Sequence, residues 1–331
     1  MKKKYLGIRD ISKIANVSVA TVSRVLNTPE KVAPSTVKKV KKVIDEYGYV
    51  PNLQAKNMYS QCNNTIAFFV SDLNLEFFVK LIKSLNRICF QHKYTLLICN
   101  TENNPQLEVD YLKYCKGMRT KGIIFTEGSN ENLRGFDLQE QNIVFHDRDM
   151  GEEFSSVTCD NEKGIGLLVD YLYNLDHRSF AFVGYKKEYS SVSIRMQSFL
   201  ASLKKKGVEV KKEHIVECGW SSRDGADAFD YICTLKEKPT AIICANDAIA
   251  RGVIFRMRKR GAKVPEDFSV TGFDGDAMEY FYPQLTTVVQ NVDVIANELF
   301  LCATSDKKET RRIITDVEIV IGNSCKKYSE N

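Results

Sequence analysis

Small, hydroxyl, amide and guanidinium side chains alternate with apolar ones between residues 18 and 27, where the sequence is SVATVSRVLN. These types suit the groove of a nucleic-acid duplex, because small apolar groups meet thymine methyls, hydroxyls bond phosphates, and an arginine bonds O6 and N7 of one guanine. The segment is therefore predicted to contact DNA. The predicted contact residues are Ser18, Val19, Ala20, Thr21, Ser23, Arg24 and Asn27.

Two short amphipathic helices joined by a tight turn would position these side chains. Ile11, Ile14 and Ala15 recur at helical spacing behind Asp10, which is a suitable N-cap. Asn16 follows where the chain must reverse, and asparagine tolerates the left-handed conformation that such a turn requires. The pattern is typical of a helix-turn-helix.

The second and third helices complete a small predicted core. Ser18 is expected to cap the second helix, and a third helix is expected to start at Ser35 behind Pro34 and to stop at Gly48. The predicted buried positions are Val22, Val25 and Leu26 on the second helix, and Val40, Val43, Ile44 and Tyr47 on the third.

Positive charge is concentrated at the N-terminal end of the chain. Residues 1–62 contain 12 Lys and Arg against 4 Asp and Glu, whereas residues 63–331 contain 35 against 38. Lys38, Lys39, Lys41 and Lys42 alone would be typical of a solvated helix face. Together with the charge partition, they favour phosphate contact by one end of the molecule, with an affinity that falls as salt rises.

The segment VSVATVSRVLN at 17–27, followed by YVPN at 49–52, resembles the LacI/GalR family of bacterial transcription repressors. The resemblance implies that residues 51–62 form a hinge helix on the operator, with Tyr49, Asn52, Ala55 and Met58 among the DNA contacts. Met58 stands where the family usually has a leucine that wedges into the minor groove, a role an unbranched thioether can also fill. The alternative for this polar stretch is a plain solvated linker.

Beyond residue 63, short apolar runs alternate with helical stretches. The runs are TIAFFV at 65–70, YTLLIC at 94–99, GIIFT at 122–126, SFAFVG at 179–184, TAIICAND at 240–247 and FSVTGFD at 268–274. This alternation predicts parallel sheets covered on both faces, and the length predicts more than one core.

The predicted fold class is therefore an N-terminal all-α helix-turn-helix domain plus an α/β effector domain. The family resemblance implies that the effector domain has two lobes like those of periplasmic sugar-binding proteins, with a ligand cleft between them. The predicted domains are residues 1–50, a linker at 51–62, and residues 63–331. Lobe 1 is placed at about 63–159 and 291–317, and lobe 2 at about 160–290 and 318–331, with crossings near 158–161, 288–292 and 317–321.

Two further segments resemble family signatures: PEDFSVTGFD at 265–274 with YPQLTTVVQ at 282–290, and ANDAIARG at 245–252. The second places Asn246 or Asp247 at a strand end and a helix start, where open α/β sheets bind ligands. Either residue could simply cap that helix, and both roles are compatible. By the resemblance, the expected effector contacts are Asp72, Asn74, Phe77, Phe78, Asp147, Arg148, Arg195, Trp220, Asn246, Asp274 and Gln290.

This set could bind a polyhydroxylated ligand, because carboxylates, amides and guanidinium groups bond hydroxyls while an aromatic face stacks on a sugar ring. Arg148 and Arg195 could bind a phosphate, or they could pair with Asp147 and Asp274 and hold a neutral sugar. The sequence leaves this choice open. Trp220 could fill a core, but its polar GWSS loop favours the pocket.

Enzyme, metal and export signals are not found. The sequence has no GxxxxGK[ST], GxGxxG after a strand, or GxSxG motif, and its four histidines are scattered. We therefore expect no enzymatic activity, no cofactor and no metal. The ten cysteines lack CxxC spacing and lie mostly in apolar runs, and no signal-peptide core follows MKKKYLGIRD, so we expect reduced thiols in a bacterial cytoplasm, with the protein held at the nucleoid by DNA.

The predicted function is a sugar- or sugar-phosphate-responsive repressor that binds a pseudo-palindromic operator as a homodimer. Dimerisation is expected because one recognition helix reads too few base pairs, and the tail has no leucine heptads to build a tetramer. The alternative is a DNA-binding regulator controlled mainly by a protein corepressor.

Overall fold

The computed structural model describes residues 6–50, 63–126, 133, 142–148, 150–184, 190–276, 282–306 and 309–329. The chain divides into two compact units, Met1–Asn63 and Asn64–Asn331. The hinge prediction, with Asn52, Ala55 and Met58, lies outside the described residues.

The first unit is helical. Its helices are α1 (Ile8–Ile14), α2 (Val19–Asn27) and α3 (Pro34–Tyr47), with a short 3₁₀ turn at Pro29–Lys31. Asn16 takes the expected left-handed conformation, with φ of 46°, and Gly48 ends α3 at φ of 58°. The buried core consists of Ile11, Ala15, Val22, Val25 and Val40.

Three details of this unit differ from the prediction. Asp10 is not the N-cap of α1; the helix begins at Ile8, and the Asp10 carboxylate accepts the Gly7 N–H at 2.9 Å. Ile14 is 42% exposed and Tyr47 is 49% exposed, so neither belongs to the core. Ile8 replaces Ile14 because positions 8, 11 and 15 share one helix face, and Tyr49 packs against the core in place of Tyr47.

The second unit contains two six-stranded sheets. Its strands are β1 (Asn63–Val70), β2 (Thr95–Asn100), β3 (Thr120–Phe125), β4 (Asn142–His146), β5 (Ser155–Cys159), β6 (Phe180–Val183), β7 (Ile215–Val216), β8 (Ala241–Cys244), β9 (Ser269–Asp274), β10 (Thr286–Gln290), β11 (Arg312–Thr315) and β12 (Val317–Val320). Its helices are α4 (Glu76–Gln91), α5 (Pro105–Met118), α6 (Asn161–Asn174), α7 (Ser190–Lys205), α8 (Ser222–Thr234), α9 (Asp247–Lys259) and α10 (Val292–Thr304).

Each sheet forms one lobe. The strand order is β11-β5-β4-β3-β1-β2 in the first lobe and β12-β10-β9-β8-β6-β7 in the second. β12 pairs antiparallel with β10, whereas β1 with β2 and β8 with β9 are parallel, with Thr65 opposite Thr95 and Ala241 opposite Ser269. Strands β1, β6 and β8 are near-continuous buried apolar runs, as expected where helices cover both faces of a sheet.

The chain passes between the lobes in the connections β5 to α6, β10 to α10, and β11 to β12. The last passage lies between Thr315 and Val317, slightly before the range 317–321 expected from sequence. All three connections follow the carboxyl ends of strands, so the cleft is bordered by strand ends and helix starts.

The cysteines in the described part of the chain are free thiols, and most of them are buried. Within the same residues, no helix combines the length and the apolar character needed to span a bilayer.

Candidate functional site

The α2 helix presents the predicted DNA-contacting residues at the surface of the first unit. Ser18, Val19, Ala20, Arg24 and Asn27 are exposed, while Thr21 and Ser23 are half-buried. The exposed set combines small apolar groups, an amide and one guanidinium, which is the chemistry of base-edge and phosphate contact.

The hydroxyls of Ser18 and Thr21 also stabilise the start of α2. The Ser18 hydroxyl accepts the Thr21 N–H at 3.0 Å, which is the predicted N-cap, and lies 2.8 Å from the Thr21 hydroxyl. Tyr49 is half-buried against the core, and burial raises the pKa of its phenol. These residues therefore stabilise the helix positions in addition to any DNA contact. Lys38, Lys39, Lys41 and Lys42 of α3 are all exposed.

A cavity that is open to solvent lies between the two lobes of the second unit. Most of the residues around it stand at strand ends or helix starts, where parallel sheets collect ligand-binding groups. The described lining residues are Leu75, Phe77, Phe78, His146, Asp147, Arg195, Trp220, Asn246, Ala248, Asp274, Asp276 and Gln290.

Eight of the eleven residues expected to contact an effector are in this lining set. They are Phe77, Phe78, Asp147, Arg195, Trp220, Asn246, Asp274 and Gln290.

Asp72 and Asn74 do not line the cavity. The Asp72 carboxylate accepts both the backbone and the side-chain N–H of Asn74 at 2.8 Å, which closes a turn between β1 and α4. Both bonds go to Oδ1, and they hold the Asp72 carboxylate within this loop.

Arg148 also lies outside the cavity lining. It is buried, donates to the Glu108 carboxylate on α5 at 2.7 Å, and lies over the rings of Phe125 and Phe145 at 5.7 and 5.6 Å. Its neighbour Asp147 faces the cavity, because a left-handed backbone, with φ of 52°, turns the chain just after β4. Adjacent residues therefore face different environments, and Arg148 holds α5 to the sheet.

The guanidinium of Arg195 forms part of the cavity wall. Its Nε donates to Asn161 at 2.6 Å and its Nη1 donates to the Ala245 carbonyl at 2.5 Å. The guanidinium lies 3.7 Å from the centre of the Phe273 ring, 3.6 Å from the Asp274 carboxylate, and 4.0 Å from that of Asp147. These contacts hold Arg195 rigidly between the two lobes' carboxylates.

Asp274 and Gln290 form a pair at the end of the second sheet. The Gln290 amide donates to Asp274 at 2.8 Å, and Asp274 has a φ of 118°, a conformation that costs a non-glycine residue energy. Burial raises the pKa of Asp274 well above its usual range, although the Arg195 guanidinium opposes this. Strain and burial in one residue are typical of a functional site.

Asn246 has both predicted roles available to it. Its carbonyl oxygen accepts the Ile249 N–H at 2.8 Å and so caps α9, while its amide nitrogen donates to the Trp220 carbonyl at 3.2 Å. The second hydrogen of the Asn246 amide takes part in neither of these two bonds. Asp247, in contrast, is fully buried and bonds the Thr287 hydroxyl and the Asp276 N–H, both at 2.6 Å. Burial raises its pKa to about 7.

Ion pairs connect the lobes at the cavity edge. Lys80 on α4 donates to the Asp276 carboxylate at 3.0 Å and to the Gly275 carbonyl at 3.1 Å. Arg251 on α9 lies 3.7 Å from Glu76 of α4 and donates to the Asp276 carbonyl at 3.3 Å. The sequence did not indicate these contacts, because each of them joins residues that are far apart in the chain.

Sequence reasoning missed Leu75, His146, Ala248 and Asp276 in the lining. His146 was missed because strand β4 was not predicted, although its NIVFH run ends directly before Asp147. The imidazole stacks on Phe77 at 5.6 Å and its Nδ1 lies 3.0 Å from the Val157 carbonyl. Asp276 lies two residues beyond Asp274 in the FDGD segment and could have been included on that ground.

Both units match known protein families. Residues 7–52 match the lacI family of bacterial regulatory proteins, and residues 169–325 match the periplasmic binding protein-like domain. The chain is 30% identical over 331 residues to the HTH-type transcriptional repressor PurR of Vibrio vulnificus (strain CMCP6), with 97% of this chain and 99% of that protein covered. It is 31% identical over 309 residues to Catabolite control protein A of Priestia megaterium, with 92% and 93% covered.

The fold is similar to the crystal structure of the Lac repressor dimer bound to operator and the anti-inducer ONPF. The TM-score is 0.85 at 21% identity, over 97% of this chain and 99% of that one. The predicted fold class and family are thereby confirmed. The chain belongs to the LacI family of bacterial regulatory proteins and is a DNA-binding transcriptional repressor of that family.

Proposed function

We propose that this repressor binds a pseudo-palindromic operator as a homodimer, reads it through Ser18, Val19, Ala20, Thr21, Ser23, Arg24 and Asn27, and changes its operator affinity when a small sugar or sugar phosphate occupies the cleft. The hinge contacts Tyr49, Asn52, Ala55 and Met58 belong to the same proposal. So does a cytoplasmic location at the nucleoid.

The single observation that carries the proposal is the cavity between the lobes. It combines the rings of Phe77, Phe78 and Trp220 with carboxylate, amide and guanidinium groups, which suits a compact ligand with an apolar face and several hydroxyls. Because its walls come from both lobes, a ligand that bonds both favours one lobe arrangement over another. A change of this kind is coupled to DNA affinity when the two arrangements bind operator differently.

This observation favours a small ligand over a protein corepressor as the main control. Regulation rather than turnover is favoured by the relatives. The names of the relatives support this: PurR is a transcriptional repressor and Catabolite control protein A a control protein.

Selection from a random duplex library with the full-length protein tests the DNA part of the proposal. We expect enrichment of one two-fold symmetric motif, bound with two chains per duplex in sedimentation experiments. Affinity should fall steeply with salt, as the excess of Lys and Arg in residues 1–62 requires. Binding to all duplexes with equal affinity, or enrichment of an asymmetric motif by a single chain, would contradict it.

A further inference from the structure

Three buried polar atoms around the cavity have no hydrogen-bond partner among the described residues. They are Oδ1 of Asp147, Oε1 of Gln290 and Nε2 of His146. All three residues line the cavity, and their side chains come from both lobes. A buried polar atom without a partner is costly, so a cavity wall containing three of them favours a ligand with complementary hydrogen-bonding groups.

The chemistry around Asp147 and Gln290 makes their unpartnered oxygens hydrogen-bond acceptors. The Val157 carbonyl can only accept, so Nδ1 of His146 carries a hydrogen, and its Nε2 lies 3.9 Å from Oδ2 of Asp147. The Gln290 nitrogen donates to Asp274, which fixes the amide so that its oxygen is the remaining atom. A carboxylate such as Asp147 only accepts.

The donors of the same wall are already largely used. Arg195 donates to Asn161 and to the Ala245 carbonyl, and it faces the carboxylates of Asp147 and Asp274. Asn246 donates to the Trp220 carbonyl. Among the described lining residues, the carboxyl groups of Asp147 and Asp274 face the guanidinium of Arg195, whereas the carboxyl group of Asp276 pairs with Lys80.

We propose that the cleft ligand is a polyhydroxylated molecule that donates hydrogen bonds and carries no phosphate or carboxylate group. This proposal rests on the proposed function and decides between its two ligand classes. A phosphate group brings only acceptors and negative charge, so beside the Asp147 carboxylate it would add repulsion and could not itself satisfy the unpartnered oxygens of Asp147 and Gln290. Hydroxyl groups can donate to both oxygens, and a hydroxyl can also bond Nε2 of His146.

Matched pairs of sugars test the proposal on the full-length protein. Glucose, galactose, fructose and trehalose are compared with glucose 6-phosphate, galactose 1-phosphate, fructose 1-phosphate and trehalose 6-phosphate by thermal shift and calorimetry. We expect at least one neutral sugar to raise Tm by several degrees and its phosphate to bind at least tenfold more weakly. Tighter binding of any phosphorylated member would overturn this inference while leaving the proposed function intact. If no compound bound although operator DNA did, both the inference and the ligand part of the proposed function would be wrong.

Asp147→Asn provides a second, residue-level test. The amide replaces one acceptor by a donor and removes a charge, so the neutral sugar should bind at least tenfold more weakly and the difference from its phosphate should narrow. Asp110→Asn is the matched control, because Asp110 is exposed on α5 and pairs with Lys113 at 3.5 Å. Unfolding midpoints without ligand check that both variants fold. An unchanged preference in Asp147→Asn would contradict the proposed role of this acceptor.

Discussion

Arg148 offers the sharpest test of how the first lobe is built, because the family resemblance assigned it to the ligand and the structure places it in the core. Its side chain is 1% exposed and that of Glu108 is 7% exposed, with 2.7 Å between Nη1 and Oε1. Arg148→Met leaves the buried Glu108 carboxylate without this counter-charge. Removing one member of a buried ion pair costs about 3 to 5 kcal/mol, a large part of the roughly 5 to 15 kcal/mol that stabilises a typical domain.

Urea unfolding followed by circular dichroism measures this loss as a lower midpoint at an unchanged slope. The double variant Arg148→Met/Glu108→Gln is the matched control, because it removes both charges and should recover most of the lost stability. Ligand affinity in the cleft should be within about twofold of wild type when measured well below the unfolding midpoint, because Arg148 does not line the cavity. A stable Arg148→Met protein that had lost ligand binding would refute this assignment and restore the role expected from sequence.

Three other perturbations have defined outcomes. Arg24→Ala should weaken operator binding by about 1 to 3 kcal/mol and relax preference at one base position, as measured by anisotropy on single-substitution duplexes; unchanged preference would mean that α2 does not read bases. Asp247→Asn should remove a pH dependence of stability. Burial raises the folded-state pKa of Asp247 from its ordinary value near 3.8 to about 7. The unfolding free energy of the wild type should therefore fall relative to that of the variant, by up to about 4 kcal/mol, as pH rises from 4 to 7. A difference that is constant across this range would show that the carboxyl is not perturbed. Lys80→Met should destabilise the two-lobed unit by about 1 to 3 kcal/mol in urea unfolding, because it deprives the buried Asp276 carboxylate of a charged donor at 3.0 Å; no loss would mean that the interlobe pair is not formed in solution.

The sequence was sufficient for features that depend on local chemistry. Ser18 caps α2, Asn16 makes the left-handed turn, and Gly48 ends α3, because each of these roles follows from a residue's own side chain or its absence. The apolar runs of β1, β3, β6, β8 and β9 were recognisable for the same reason, since a strand covered on both faces is apolar throughout. The edge strand β2 was recognisable from its apolar residues although it is only partly buried.

Features that depend on neighbours distant in sequence could not be predicted in the same way. Whether Arg148 or Asp147 faces the cavity is decided by a backbone φ after β4 and by Glu108, which lies 40 residues earlier. Asp72 and Asn74 bond each other in a turn outside the cavity lining, and this placement depends on how β1 and α4 pack. His146 became recognisable only when β4 was seen to end at the cleft.

Control of operator affinity by the cleft ligand is tested most directly by measuring the operator Kd by fluorescence anisotropy, with and without a saturating neutral sugar identified by thermal shift. We expect the sugar to change the operator Kd by at least about fivefold, which is the lower end of the coupling observed between linked sites. A sugar that saturates the cleft and leaves the operator Kd unchanged would contradict the proposed control.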